Sequence, residues 1–124
     1  MIDFKNAEFL KLAPADAARA ESSVRDLLIS GECVEYAFKT VRDSVIFTTH
    51  RVIAANVQGI TGRKVDYTSM PYSKIQAFSV ESAGTFDLDC ELTLWFAGLG
   101  QVKFDFVRGT DVSELSRMIA QAVL

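Results

Sequence analysis

The fold is decided by residues 78–106, which read FSVESAGTFDLDCELTLWFAGLGQVKFDF. Apolar and polar side chains alternate through residues 88–96, which is the period of a strand with one buried face. The alternation resumes after a turn that contains Gly98 and Gly100, and it continues to Phe106. The stretch therefore predicts a β-hairpin with an apolar inner face.

Length and composition predict one globular domain over residues 1–124. Hydrophobic residues make up 49% of the chain and charged residues 23%, and a chain of 124 residues builds one core rather than two. The formal net charge of -3 provides no long-range attraction for nucleic acid or for anionic lipid. We therefore expect no nucleic-acid binding, and membrane binding is not favoured.

The amino-terminal residues predict a cytoplasmic protein. Residues 1–12 alternate charges with short apolar pieces and lack the unbroken apolar core of a signal peptide. No apolar run approaches the length that spans a membrane.

The remaining segments predict a sheet between two helices. Residues 1–30 are expected to form an N-terminal arm and helix, in which Pro14 suits the first helical turn, Gly31 supplies a stop, and residues 1–12 form the arm or a short helix. Residues 32–108 contain β-branched and alternating runs that predict about seven strands, including the hairpin. Residues 111–124 predict an amphipathic helix, with Asp111 and Glu114 spaced as in a capping box.

The order of these elements indicates the fold class. No helix is interleaved among the predicted strands, which excludes parallel βαβ folds and leaves an antiparallel sheet that the last helix closes or caps. The inward parity changes between Ile75 and Phe78, so we expect a bulge near Ala77. The fold class predicted from the pattern is mainly β with helices, a small barrel or sandwich.

Four segments carry a resemblance to a known family. They read AFKTVRDSVIFTTHR at residues 37–51, QGITGRK at 58–64, SMPYSKI at 69–75 and FSVESAGTFDLDCEL at 78–92. Together with the order of a leading helix, about seven antiparallel strands and a closing helix, they resemble the bacterial pleckstrin-homology (PH) domain family, formerly a domain of unknown function.

The resemblance implies a PH-like barrel that is closed by the C-terminal helix and is not an enzyme. It brings no substrate, metal or cofactor. Single-domain members assemble as cyclic homo-oligomeric rings, so the resemblance implies a ring, pentameric in size. A hydrophilic surface where the sheets of neighbouring protomers meet is then the expected site for an unidentified protein partner.

Residues for such a surface are predicted from strand parity and from one turn. Trp95 has the opposite parity to Leu92 and is expected to face outward, either at an interface or beneath the N-terminal helix. Carboxylates at alternate positions of residues 87–91 could bind a hard cation, but their spacing is not that of a calcium loop. The predicted interaction surface consists of Lys39, Arg42, Asp43, Glu81, Asp87, Asp89, Glu91 and Trp95.

An alternative function is the binding of an anionic small ligand or a lipid headgroup through basic loops. A polyphosphate requires several cations that converge on it. Asp43 beside Arg42 and the acidic chain as a whole argue against this alternative. Its candidate residues are Lys39, Arg42, Arg63 and Lys64, with Arg51 as a further cation of the same segments.

No catalytic residues are predicted. His50 is the only histidine, and neither a cysteine nor a serine forms a recognisable nucleophile motif near it, so we expect a turn residue. Cys33 and Cys90 lie in strand-like segments without a CxxC pair. Two reduced thiols are the expected state, and a disulfide is the open alternative.

Overall fold

The computed structural model describes residues 1–81 and 90–124, and these contain eight strands and two α-helices. The chain divides into two compact units: a first unit of residues 1–2 and 14–71, and a second unit of residues 3–13 and 72–124. The single domain expected over residues 1–124 stays a prediction. The elements are β1 (Ala7–Pro14), α1 (Ala17–Val24), β2 (Val34–Lys39), β3 (Ser44–Thr48), β4 (Arg51–Gln58), β5 (Lys64–Pro71), β6 (Ile75–Glu81), β7 (Cys90–Phe96), β8 (Gly100–Phe106) and α2 (Val112–Val123).

The first unit contains an antiparallel sheet in the order β5-β4-β3-β2, with α1 packed on one face. Val24 of α1 is buried together with Ile46 and Ile53 of the sheet. Burying an aliphatic side chain completely contributes about 1.5–3 kcal/mol, so these contacts hold the helix in place. Phe38 and Phe47 pack edge to face, with ring centroids 5.9 Å apart.

The helix α1 begins later and ends earlier than predicted. The carboxylate of Asp16 accepts hydrogen bonds from two backbone amides of the first turn, so Asp16 is the N-cap. Pro14 is the last residue of β1, and its placement in the first helical turn was wrong. A 3-10 turn at Arg25–Leu27 follows Val24, so the helix stops before Gly31.

The second unit contains a sheet in the order β1-β8-β7-β6, and α2 contacts β6 and β7. The predicted hairpin is confirmed, because β7 and β8 pair antiparallel from Cys90↔Phe106 to Phe96↔Gly100. Gly100 has a φ of 126°, and a Cβ there would lie 2.5 Å from the backbone oxygen of Phe4, so the turn requires glycine. The inner side chains of the hairpin are fully buried, namely Leu92, Leu94, Val102, Phe104 and Phe106.

Residues 1–12 do not form the short helix that was one of the two alternatives, because β1 begins at Ala7 and pairs parallel with β8. The apolar arm, which was the other alternative, joins the sheet as a strand. Phe9 stacks on Phe104 with ring centroids 5.7 Å apart, and Leu12 is completely buried. Lys11 has a φ of 54°, and the register shifts between Phe9 and Leu12. The N-terminal helix therefore follows a strand. The described residues contain eight strands, with a parallel pairing between β1 and β8, where about seven antiparallel strands were expected.

Two further predictions for the second unit are confirmed. The β6–β7 register shifts between Ile75 and Ala77, which is the bulge expected near Ala77. Asp111 caps α2 by accepting a hydrogen bond from the backbone amide of Glu114 at 3.2 Å. Leu115 and Ile119 of α2 are buried.

None of the described helices is long and apolar enough to cross a bilayer.

Candidate functional site

Two neighbouring turns form one end of the first unit, which we call the loop end and define as residues 39–43 and 58–64. Antiparallel pairing places two turns at the same end of the sheet: the turn from β2 to β3 and the turn from β4 to β5. Lys39 pairs with Ser44, and Gln58 pairs with Lys64. All four residues proposed for anion binding therefore lie at the loop end.

Hydrogen bonds connect the two turns of the loop end. The backbone amide of Thr40 donates to the carbonyl of Asp43 at 2.8 Å, which closes the first turn. Asp43 Oδ1 accepts from the amide of Val57 at 2.9 Å, and Arg42 Nη2 donates to the carbonyl oxygen of Gly59. Asp43 and Arg42 thus join the first turn to the second, a role that their sequence positions do not indicate.

The cations of the loop end lie on its surface rather than around a cavity. Lys39, Arg42, Arg63 and Lys64 are all exposed. A groove of about 420 Å³ at this end includes Lys64 in its lining, together with Asp66. The ammonium of Met1 donates to Asp66 Oδ1 at 2.9 Å, and this hydrogen bond lowers the pKa of the Asp66 carboxyl. A polyphosphate in this groove would face a carboxylate.

Two aliphatic side chains at the loop end were not singled out by sequence reasoning. Val41 and Ile60 have relative exposures of 102% and 104%, so each is fully in water. Val41 precedes Arg42 and Ile60 follows Gly59, and therefore the hydrogen bond between Arg42 and Gly59 brings the two turns that carry them together.

The outward face of the second unit's sheet carries a row of carboxylates across neighbouring strands. Glu81 of β6 is the register partner of Glu91 in β7, and Glu91 is the partner of Asp105 in β8. Like charges directly opposite one another destabilise a sheet, so this row favours an oppositely charged neighbour. Asp105 was missed by sequence reasoning. The predicted Asp87 and Asp89 lie outside the described residues.

Trp95 lies on the same outward face and is 36% exposed, as its parity predicted. Thr93, two residues earlier and of the same parity, is only 4% exposed, so this face is covered at Thr93 and open at Trp95. The predicted interaction residues thus fall into two groups. Lys39, Arg42 and Asp43 belong to the first unit, whereas Glu81, Glu91 and Trp95 belong to the second.

A buried ion pair in the first unit was also missed. The side chain of Glu32 is fully buried, and its two carboxylate oxygens accept from Arg51 Nε and Nη2, each at 2.9 Å. Thr48 Oγ1 donates to Glu32 Oε2 at 2.6 Å, and the amide of Ile29 donates to Oε1 at 3.0 Å. Arg51 also donates to the carbonyl of Leu27. Its guanidinium is therefore engaged, and Arg51 is not a ligand for an external anion.

The hydrogen bonds to Glu32 determine its charge. Burial alone raises the pKa of Glu32, but the hydrogen bonds from Arg51, Thr48 and the backbone of Ile29 outweigh burial and lower the pKa to about 2. Glu32 is consequently an anion at neutral pH. The pair connects the segment before β2 to the start of β4.

His50 lies in the turn between β3 and β4, as predicted, and its Nδ1 is 2.7 Å from Thr49 Oγ1. Cys33 is exposed in the first unit, and Cys90 is buried in the second. Cys90 Sγ lies 3.7 Å from the carbonyl oxygen of Thr110. Among residues 1–81 and 90–124, no three histidine, cysteine or carboxylate side chains gather closely enough to hold a metal ion.

Comparison with known proteins identifies the family. The family model for the bacterial PH domain matches residues 3–123. The uncharacterised protein YjqA of Bacillus subtilis is 42% identical over 105 residues, which cover 83% of this chain and 84% of that protein.

Solved structures agree with this assignment. A DUF1696 family protein with a pleckstrin-homology domain from Shewanella loihica is 35% identical with a TM-score of 0.80, and the match covers 94% of this chain and 100% of that one. A pleckstrin homology domain from Shewanella amazonensis is 40% identical with a TM-score of 0.67, covering 89% and 90% of the two chains. The predicted PH-like fold, mainly β with helices, is confirmed, and the chain belongs to the bacterial PH domain family.

Proposed function

We propose that this protein is a non-enzymatic PH-like interaction module, a single cytoplasmic domain that self-assembles into a homo-oligomeric ring, pentameric in size, and presents a polar surface to a protein partner. The observation that carries the proposal is apolar surface on the terminal strand of the first unit's sheet. Val65 and Tyr67 of β5 are 37% and 39% exposed, beside their register partners Val57 and Ala55 on β4.

The exposed side of β5 is a suitable contact for a second copy of the chain. β5 is eight residues long and lies at the end of the strand order, so it has a paired neighbour on one side, β4. An extended terminal strand with apolar side chains is a template for strand pairing between chains. The aromatic and aliphatic side chains of β5 then supply the buried area that such a contact needs.

A ring follows when two different surfaces of the chain meet. β6 terminates the strand order of the second unit's sheet and carries the exposed Glu81, so its surface differs from that of β5. A contact between β5 of one protomer and a different surface of the next is heterologous, and heterologous contacts close into rings when the rotation between neighbours permits.

The carboxylate row Glu81–Glu91–Asp105 is the polar surface that we assign to the partner. Its like charges repel one another. A basic partner surface that neutralises them therefore binds more tightly and in a defined register. In a binding assay at low salt, a Glu81→Lys/Glu91→Lys variant should no longer bind a basic protein that the unchanged chain binds. Retention of that protein by the variant would remove the row from the interface.

Sedimentation velocity of a β5 variant tests the assembly. Tyr67→Lys places a charge in the apolar contact, and we expect it to dissociate the assembly to monomers or small intermediates. Leu99→Lys is the matched control, because Leu99 is 53% exposed in the β7–β8 turn. The assembly should survive in the control, and an assembly that also survives Tyr67→Lys would show that β5 is not the contact.

A further inference from the structure

A groove of about 230 Å³ opens on the second unit, where the segment that leads into β1 runs beside β8. Gln101 and Lys103 alternate along β8 with buried residues, so their side chains lie on the outward face of the sheet. Parallel pairing places Glu8 beside Lys103. The groove thus combines two ammonium groups, one carboxylate and two primary amides, and its lining consists of Lys5, Asn6, Ala7, Glu8, Gln101 and Lys103.

The fold does not use the charges of this groove. Within residues 1–81 and 90–124, Lys5 and Lys103 form no ion pair, although Glu8 is the register partner of Lys103. Asp3, which lies beside the groove, accepts from the backbone amide of Lys5 at 3.0 Å and from Asn6 Nδ2 at 3.3 Å. The two ammonium groups and the carboxylate of Glu8 are therefore available to a ligand.

Trp95 gives the groove an aromatic border. It is the register partner of Gln101, and directly opposed side chains of an antiparallel pair lie on the same face with their Cβ atoms about 4.5–5.5 Å apart. The indole is 36% exposed, so an apolar group that enters the groove can pack against it.

We propose that this groove binds a free α-amino acid with an apolar or aromatic side chain. The carboxylate of the ligand contacts Lys5 and Lys103, its ammonium contacts Glu8, and its side chain packs on Trp95. Charge-assisted contacts with both ends of the ligand and packing on the indole act together. The site uses neither the apolar side of β5 nor the carboxylate row, so it is independent of the proposed assembly and of the proposed partner.

The mixed charges of the groove favour a zwitterion over other ligands. Glu8 would repel a phosphate or an acidic side chain, and the two lysines would repel a cation. An internal segment of a peptide has neither an α-ammonium nor an α-carboxylate to satisfy both. The volume of about 230 Å³ is smaller than the pockets that hold drug-sized ligands, and it suits a molecule of amino-acid size.

Fluorescence titration of the full chain with L-phenylalanine tests the proposal, because Trp95 is the only tryptophan and lies beside the groove. We expect a saturable change with a Kd of about 1–5 mM, since so small a ligand gains little affinity at an open site. N-acetyl-L-phenylalanine lacks the ammonium and L-phenylalaninamide lacks the carboxylate, so each should bind about three- to fivefold more weakly. No saturable change, or equal affinity for the three compounds, would overturn the proposal.

Charge variants assign each contact. Glu8→Gln should weaken the binding of L-phenylalanine about three- to fivefold but should not weaken that of N-acetyl-L-phenylalanine, which has no ammonium. Lys103→Gln should weaken the binding of L-phenylalanine similarly but should not weaken that of L-phenylalaninamide. Lys74→Gln and Glu35→Gln change exposed residues elsewhere and should bind like the unchanged chain. If Glu8→Gln weakened both compounds equally, the ammonium would not lie at Glu8 and the proposal would be wrong.

Discussion

Glu32 shows how one residue joins segments that are distant along the chain. Its carboxylate binds Arg51, which lies 19 positions later, and accepts from Thr48 at 2.6 Å. Removing one member of a buried pair leaves the other charge uncompensated, which costs about 3–5 kcal/mol. The side chain of Arg51 is 19% exposed, so water compensates part of this cost.

We expect Glu32→Gln to lower the free energy of unfolding by about 2–4 kcal/mol, because the neutral amide cannot pair with the Arg51 guanidinium. Urea denaturation measures the change. Glu35→Gln is the control, since Glu35 is exposed on β2, and it should change stability by less than about 0.5 kcal/mol. Equal stabilities for the two variants would show that the ion pair contributes nothing.

The same residue predicts a dependence of stability on pH. Folding lowers the pKa of Glu32 from 4.5 to about 2, so its contribution is present in full above pH 4.5 and is lost as the pH falls toward 2. The loss amounts to about 3 kcal/mol. The stability gap between the unchanged protein and Glu32→Gln should therefore narrow between about pH 7 and about pH 3 in urea denaturation, whereas a constant gap would contradict the role of the charge.

Sequence reasoning could not find this pair because nothing local indicates it. Arg51 was grouped with the surface cations, although its guanidinium contacts the carbonyl of Leu27 and the carboxylate of Glu32. The pairing depends on the β3–β4 turn, which brings Thr48 and Arg51 beside the segment before β2. Such contacts become visible only when the tertiary structure is known.

At the scale of elements, local patterns succeeded where the partner strand is close in the sequence. The β7–β8 hairpin and the bulge near Ala77 were predicted correctly, because strand alternation and antiparallel turns are local features. β1 was missed because its partner β8 lies far along the chain and because a register shift interrupts its alternation at Lys11. The helix boundary at Pro14 was wrong for the related reason that Pro14 ends this strand.

The burial of β1 can be tested by two leucines of the same strand. Leu12 is completely buried, and Leu10 is 56% exposed. We expect Leu12→Ala to lower the free energy of unfolding by about 2–5 kcal/mol and Leu10→Ala to change it by less than about 0.5 kcal/mol. Thermal and urea unfolding measure both, and equal small effects would mean that residues 7–14 do not form a buried strand.

At the scale of the whole molecule, the wording of four segments was sufficient to predict the family and the fold. It did not predict how the polar residues are distributed over the surface of the structure. The proposed interaction residues divide between the two units. The exposed side chains of Val41 and Ile60 at the loop end were not recognised, because their exposure depends on the turns that present them. The function of the surfaces therefore has to be tested on the folded, full-length chain.

Self-assembly through the apolar side of β5 is the central claim, and multi-angle light scattering of the unchanged chain over a dilution series measures it most directly. We predict a mass about five times the 13.7 kDa of one chain, constant over the working range of concentration. A mass equal to one chain at every concentration would contradict the claim.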